Sequence, residues 1–116
     1  MKLAIALTAT LLLSTAAYAD DVVKKDGILV TSSGMTVYTF DKDSAGKSAC
    51  SGPCIDNWPA VTPPANVAAP YSVITRADGS KQLAYDGKPL YTFKKDAKPG
   101  DRTGDNFKDV WHVVKD

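Results

Sequence analysis

Two cysteines, one histidine and a scatter of aspartates are the residues whose types and spacing could do chemistry. Cys50 and Cys54 flank Ser51-Gly52-Pro53. In an oxidising compartment such a pair closes into a disulfide. So short a loop is worth about 2 kcal/mol of chain entropy, and its main effect is to pin one local turn. A redox-active pair normally encloses two residues, and haem attachment needs a histidine directly after the second cysteine, where Ile55 stands. Zinc takes four ligands, and His112 is the only histidine. A reactive dithiol, or a metal pair that enlists His112, is the alternative reading.

Asp41 and Asp43, with Asp96, Asp101 and Asp105, offer the hard oxygen ligands that calcium prefers. Asp41-x-Asp43-x-x-Gly46 resembles the opening of an EF-hand loop. However, Ala45 occupies the third ligand position and Gly52 the place of the closing glutamate. What remains is a looser cage drawn from two loops, or solvated turn residues that cap backbone amides. No Gly-x-Ser-x-Gly elbow, phosphate loop or dinucleotide fingerprint occurs. No catalytic residue and no cofactor is therefore expected.

All 13 acidic residues are aspartate, which favours turns and caps over helix interiors and points to strands joined by tight turns. The chain also repeats itself. Gly34-Met35-Thr36-Val37-Tyr38-Thr39-Phe40-Asp41-Lys42-Asp43 aligns with Gly87-Lys88-Pro89-Leu90-Tyr91-Thr92-Phe93-Lys94-Lys95-Asp96, and the same offset carries Trp58 onto Trp111. Asp26-Gly27 pairs with Asp78-Gly79 one residue out of step. Such self-similarity means two related units sharing a core.

Each unit reads as a β-meander. Tyr71 to Arg76 and Lys81 to Tyr85 form a hairpin about Asp78-Gly79, and Asp86-Gly87 turns the chain into Pro89 to Phe93. A last strand, Val110 to Val114, closes the second copy. Its counterpart, Trp58 to Val61, contains Pro59 and so belongs at an edge or is only partly a strand. Tyr38, Phe40, Tyr91 and Phe93, with Trp58 and Trp111, make an aromatic core. The rival reading is an aromatic face for an apolar or glycan ligand. The expected fold is all-β, two pseudo-repeated antiparallel β-meanders packed into one small domain (20–116). Its repeats span about 20–61 and 71–116, and a Pro-rich linker at 62–70 joins them. The polar stretches at 41–56 and 94–109 are the long loops where function concentrates.

At the N-terminus, Lys2, the apolar run Leu3 to Leu13 and the Ala17-Tyr18-Ala19 ending have the order of a secretion signal, cleaved after Ala19. The apolar run is too short to span a bilayer, so no membrane insertion follows cleavage. The formal charge of +1 falls to zero when Lys2 is removed, which argues against nucleic acid as a partner.

The motif Tyr-x-aromatic-x-x-Asp thus occurs twice, at Tyr38 to Asp43 and Tyr91 to Asp96. Together with Cys50 to Cys54, Asn57-Trp58-Pro59, Tyr71 to Thr75, Gly87 to Tyr91 and Trp111-His112-Val113, it resembles the bacterial secreted-repeat family. That family is described as predicted lipoproteins of unknown function. The resemblance implies export, the duplication and the disulfide, and supplies no catalytic residue. The chain lacks an acylatable cysteine near Ala19, which favours the periplasm or the medium over an anchored form. The expectation for function is a cell-envelope protein, non-enzymatic, binding an envelope or extracellular partner. The alternatives are a redox- or metal-linked protein using Cys50 and Cys54, and a calcium-dependent module.

Overall fold

A computed structural model describes residues 21–115; the signal-peptide reading lies outside them. The described chain is built on antiparallel strands: β1 (Val22–Lys25), β2 (Ile28–Thr31), β3 (Tyr38–Phe40), β4 (Tyr71–Thr75), β5 (Lys81–Tyr85), β6 (Lys88–Pro89) and β7 (Trp111–Val113). One short helix, α1 (Pro53–Asn57), interrupts the cysteine loop, with its proline at a first-turn position where no amide is needed. The sequence reading placed no helix there.

β1 and β2 are joined by Asp26-Gly27, and β5 and β6 by Asp86-Gly87. In both turns the two residues have positive φ, 53° and 85° in the first and 51° and 79° in the second. This is the geometry whose twist matches paired strands. β4 and β5 form the expected hairpin about Asp78-Gly79, with Gly79 at φ 88°. The Arg76 amide donates to the Ser80 carbonyl at 2.8 Å and the Gly79 amide to the Arg76 carbonyl at 2.9 Å, so this loop is one residue longer than the two-residue turns. There Asp78 accepts hydrogen bonds from the Ser80 amide and hydroxyl at 2.9 and 2.6 Å.

A second correction concerns the last strand. β7 does not close its own copy: it pairs with β3 of the first copy, setting Tyr38 opposite Val113, Thr39 opposite His112 and Phe40 opposite Trp111. Conversely, Ala60 of the first copy bridges Tyr91 of the second. Each unit thus completes the other's sheet. The pairing at Ala60 is the shorter of the two, since Pro59 has no N–H to give the ladder.

Tyr38 and Tyr91 lie at the centre of this exchange. The Tyr38 amide donates to the Tyr91 carbonyl at 2.7 Å and the Tyr91 amide to the Tyr38 carbonyl at 2.9 Å. Equivalent residues bonding each other reciprocally mark a pseudo-twofold axis. The side chains repeat the pattern. The Tyr38 hydroxyl donates to Asp96 at 2.7 Å, and the Tyr91 hydroxyl to Asp43 at 2.6 Å. The motif tyrosine of each copy therefore bonds the motif aspartate of the other. Asp96 also accepts from the Thr103 amide and hydroxyl, and Asp43 from the Ala49 amide. Burial, followed by the bond to its aspartate, pushes each tyrosine well above its ordinary value, and burial also raises the Asp43 carboxyl.

The strands bury alternate residues in two cores. Ile28, Val30, Tyr38, Tyr91 and Val113 enter an aromatic cluster, while their neighbours Leu29, Val37, Leu90 and Val114 enter an aliphatic one. β2 is covered on both faces, which is why it reads as an unbroken apolar run. Within the aromatic cluster four rings stack in the order Phe40, Trp111, Trp58, Phe93. The centroid separations are 4.2, 3.7 and 3.9 Å, and the two indoles lie within 2° of parallel. Gly104 lies against this stack so closely that an added Cβ would meet Trp58 at 2.7 Å and Phe93 at 3.0 Å.

Two predictions follow from this packing. Gly104→Ala should cost about 1–3 kcal/mol, because the rings have no rotamer escape, and should lower Tm by several degrees in a thermal melt. Tyr38→Phe should cost about 1.5–3 kcal/mol by leaving the buried Asp96 oxygen without its charged hydrogen bond. A double-mutant cycle with Asp96→Asn should show non-additivity of at least about 0.5 kcal/mol. An additive cycle would rule out the pairing as a source of stability.

The tyrosines also set an alkaline limit. Below the ordinary tyrosine value of 10.0 both folded and unfolded chains keep the proton, so the stabilisation is whole. Above it the unfolded chain releases protons that folded Tyr38 and Tyr91 retain, so stability must fall as pH rises. Urea melts at stepped pH should show this slope in the parent, and a shallower one in Tyr38→Phe/Tyr91→Phe.

Candidate functional site

Duplication makes two equivalent ends of the ring stack, and the ends differ. At the Phe93 end the ring is buried, 5% exposed, and is covered by Phe107 at a centroid distance of 5.5 Å. At the Phe40 end the ring is half-buried and contacts no ring other than Trp111 among the described residues. Phe40 instead lines a hollow of about 260 Å³ together with Asp41, Asp43, Ser44, Asp86 and Lys88. A second hollow of about 480 Å³ shares Thr39, Asp41, Asp86 and Lys88 with it and continues to Tyr85, His112 and Lys115. The two form one groove, of a size usual for small-molecule sites.

The elements around the groove hold its walls in place. Asp86 sits at positive φ in the tight turn and Lys88 begins β6, so both are fixed by the hairpin. Asp41 directly follows β3, and its amide donates to the Val110 carbonyl at 2.8 Å. His112 is the central residue of β7. Its Nε2 lies 2.8 Å from Asp41 Oδ2, and its Nδ1 lies 3.1 Å from Asn106 Oδ1. Asn106, Lys108 and Asp109 all have positive φ, between 50° and 61°. Such backbone is costly for residues other than glycine and persists where its surroundings impose it. Both ring nitrogens of His112 thus lie within hydrogen-bond distance of a side-chain oxygen, which orients the ring in the wall of the groove. Asp86 and Lys88 carry no side-chain partner among the described residues.

The aspartates singled out for calcium are not gathered together. Asp41 holds His112, Asp43 and Asp96 receive the tyrosines, Asp101 accepts from the Ala97 and Lys98 amides, and Asp105 accepts from the Val113 amide. Among the described residues no three histidine, cysteine, aspartate or glutamate side chains are placed to hold a metal ion.

Cys50 and Cys54 are joined by a disulfide, with S–S 2.06 Å. The Arg76 guanidinium ties this loop to the second copy. It donates to the Cys50 carbonyl at 2.5 Å, to Ser48 Oγ at 2.8 Å and to Gln82 Oε1 at 2.9 Å. Ser48 Oγ in turn lies 2.5 Å from the Tyr91 hydroxyl, so the cysteine loop is anchored to the central tyrosine.

Asp86, Lys88, Asn106 and Arg76 were not candidates on sequence. For the groove residues a signal was present, in the places where the two copies disagree. The repeat offset sets Asp41 against Lys94, Asp86 against Ser33, Lys88 against Met35 and His112 against Pro59, while Thr39 and Phe40 match Thr92 and Phe93. On the other side of the axis Pro99 packs onto Gly34, where an added Cβ would meet it at 2.9 Å. At the equivalent Gly87 the nearest atom, of Ala45, would be 3.8 Å away.

Comparison with known proteins supplies the family. No curated protein and no solved structure matches the chain. Among the described residues no helix is long and apolar enough to cross a membrane. Residues 21–62 and 72–115 each match the family described as a secreted repeat of unknown function. Together they cover most of the sequence, and the chain belongs to that secreted-repeat family.

Proposed function

We propose that the protein is a non-enzymatic binding module of the cell envelope, working in the periplasm or the medium, and that its binding site is the groove at the Phe40 end of the ring stack. One observation carries this reading. A duplicated structure that keeps its core residues in register departs at four equivalent positions around this groove, where Asp41, Asp86, Lys88 and His112 stand against Lys94, Ser33, Met35 and Pro59, and Pro99 packs onto Gly34 while the equivalent Gly87 stays open. Packing alone gives no reason for that asymmetry. The groove holds two side chains, Asp86 and Lys88, with their hydrogen-bonding capacity unspent, and a histidine whose ring is oriented. Those features suit recognition, which needs fixed polar groups in a preformed hollow.

The test is a ¹⁵N–¹H spectrum of the mature protein with and without a low-molecular-weight envelope extract of a secreting bacterium. The expected result is shifts confined to amides of Thr39 to Ser44, Asp86 to Lys88 and Trp111 to Val113, abolished by Asp86→Ala/Lys88→Ala. Shifts elsewhere, or turnover of a substrate in a broad hydrolase screen that the same double variant leaves intact, would reject the reading.

A further inference from the structure

We infer that the groove takes a neutral, hydroxyl-rich ring, a pyranose unit of a glycan, stacked on Phe40. This rests on the binding reading above and specifies its ligand. Phe40 is held from behind by Trp111 at 4.2 Å and 14°, so its plane is fixed before any ligand arrives. An aromatic face is electron-rich and attracts the polarised C–H groups on one side of a sugar ring. Preorganising that face lowers the entropy lost on binding.

Around the ring stand groups that match the sugar's hydroxyls. Asp86 and the free Oδ1 of Asp41 accept, and Lys88 donates. Charge narrows the choice of ligand further. Asp41, Asp43 and Asp86 oppose a phosphate or other anion, which removes nucleotides despite the stacking ring. Lys88 and Lys115 oppose a cationic peptide. The hollows are open, and the charged Asp41, Asp86 and Lys88 line both, which leaves a lipid chain without an apolar enclosure. What remains is a ligand that is uncharged, has many hydroxyls and presents one apolar face.

The far end of the stack serves as an internal control. Phe93 makes the same stack on Trp58 but is only 5% exposed and packs against Phe107, and Lys94 replaces Asp41 beside it. The hollow of about 310 Å³ at this end is lined by Lys95 and Lys108 with no carboxylate. One sugar site per chain is therefore expected, not two.

The experiment is titration of the ¹⁵N-labelled mature protein with neutral gluco-, manno- and N-acetylated chito-oligosaccharides. Saturation-transfer difference spectra of the sugars are recorded alongside. The expected result is saturable shifts at Thr39 to Ser44 and Asp86 to Lys88, with the strongest transfer to protons of one sugar face and a stoichiometry of one. Phe40→Leu should weaken the best sugar at least tenfold and Phe40→Tyr should retain it. If Phe40→Leu fails to fold, the exposed pair Asp86→Ala/Lys88→Ala is used, with the same tenfold loss expected. Sugar shifts that survive the double variant, or that map near Pro53 to Asn57, overturn the inference. Groove shifts with envelope extract but with none of the sugars overturn the ligand class and leave the binding site standing. No groove shift with either overturns both.

Discussion

The crossed bonding of Tyr38 to Asp96 and Tyr91 to Asp43 is the constraint on which the rest of the fold depends. Each bond spans the pseudo-twofold axis, so neither copy can satisfy its own buried tyrosine. A buried phenol without a partner is costly, and a carboxylate more so. The two copies must therefore interlock, and the strand exchange of β7 onto β3 is the backbone expression of the same requirement. The motif spacing follows from this geometry. Tyrosine and the aromatic two residues later point into one core from a strand, and the aspartate three further on stands past the strand's end. From there it can turn back across the axis.

Much of this was legible before any coordinates. The alternation of the strands, the Asp-Gly turns at 26–27 and 86–87, and the aromatic core follow from local chemistry, and each is found. The strand exchange was not legible, because two copies of one pattern are equally compatible with pairing inside a copy and pairing between copies. Only the long-range tyrosine–aspartate bonds distinguish them. The hairpin at Asp78-Gly79 is found as well, with a loop one residue longer. Asp78 uses its side chain to bond Ser80 within that loop. Helix α1 escaped notice because five residues are too few to show a period.

The groove was half legible. Asp41 and His112 drew attention as ligand types, and the structure brings them to each other, with no third such side chain joining them among the described residues. Asp86 was read only as a turn residue, which it is. Its place in the wall of the groove depends on β6 and β3 lying against each other, a relation fixed by the exchange between copies and invisible in any local window.

Duplication gives a physical baseline against which function stands out. Where two copies share a core, substitutions at equivalent positions are constrained alike by packing, so a departure on one side alone needs a cause outside the core. Here the shared residues are the ring stack, the tyrosines and the aspartates that receive them. The departures surround Phe40. The stack is thus both a structural spine and, at its open end, a rigid surface. Phe107 packs against the buried Phe93 at one end of the spine, and Phe40 stays half-buried at the other. A half-buried ring held by three others behind it costs little further entropy to present.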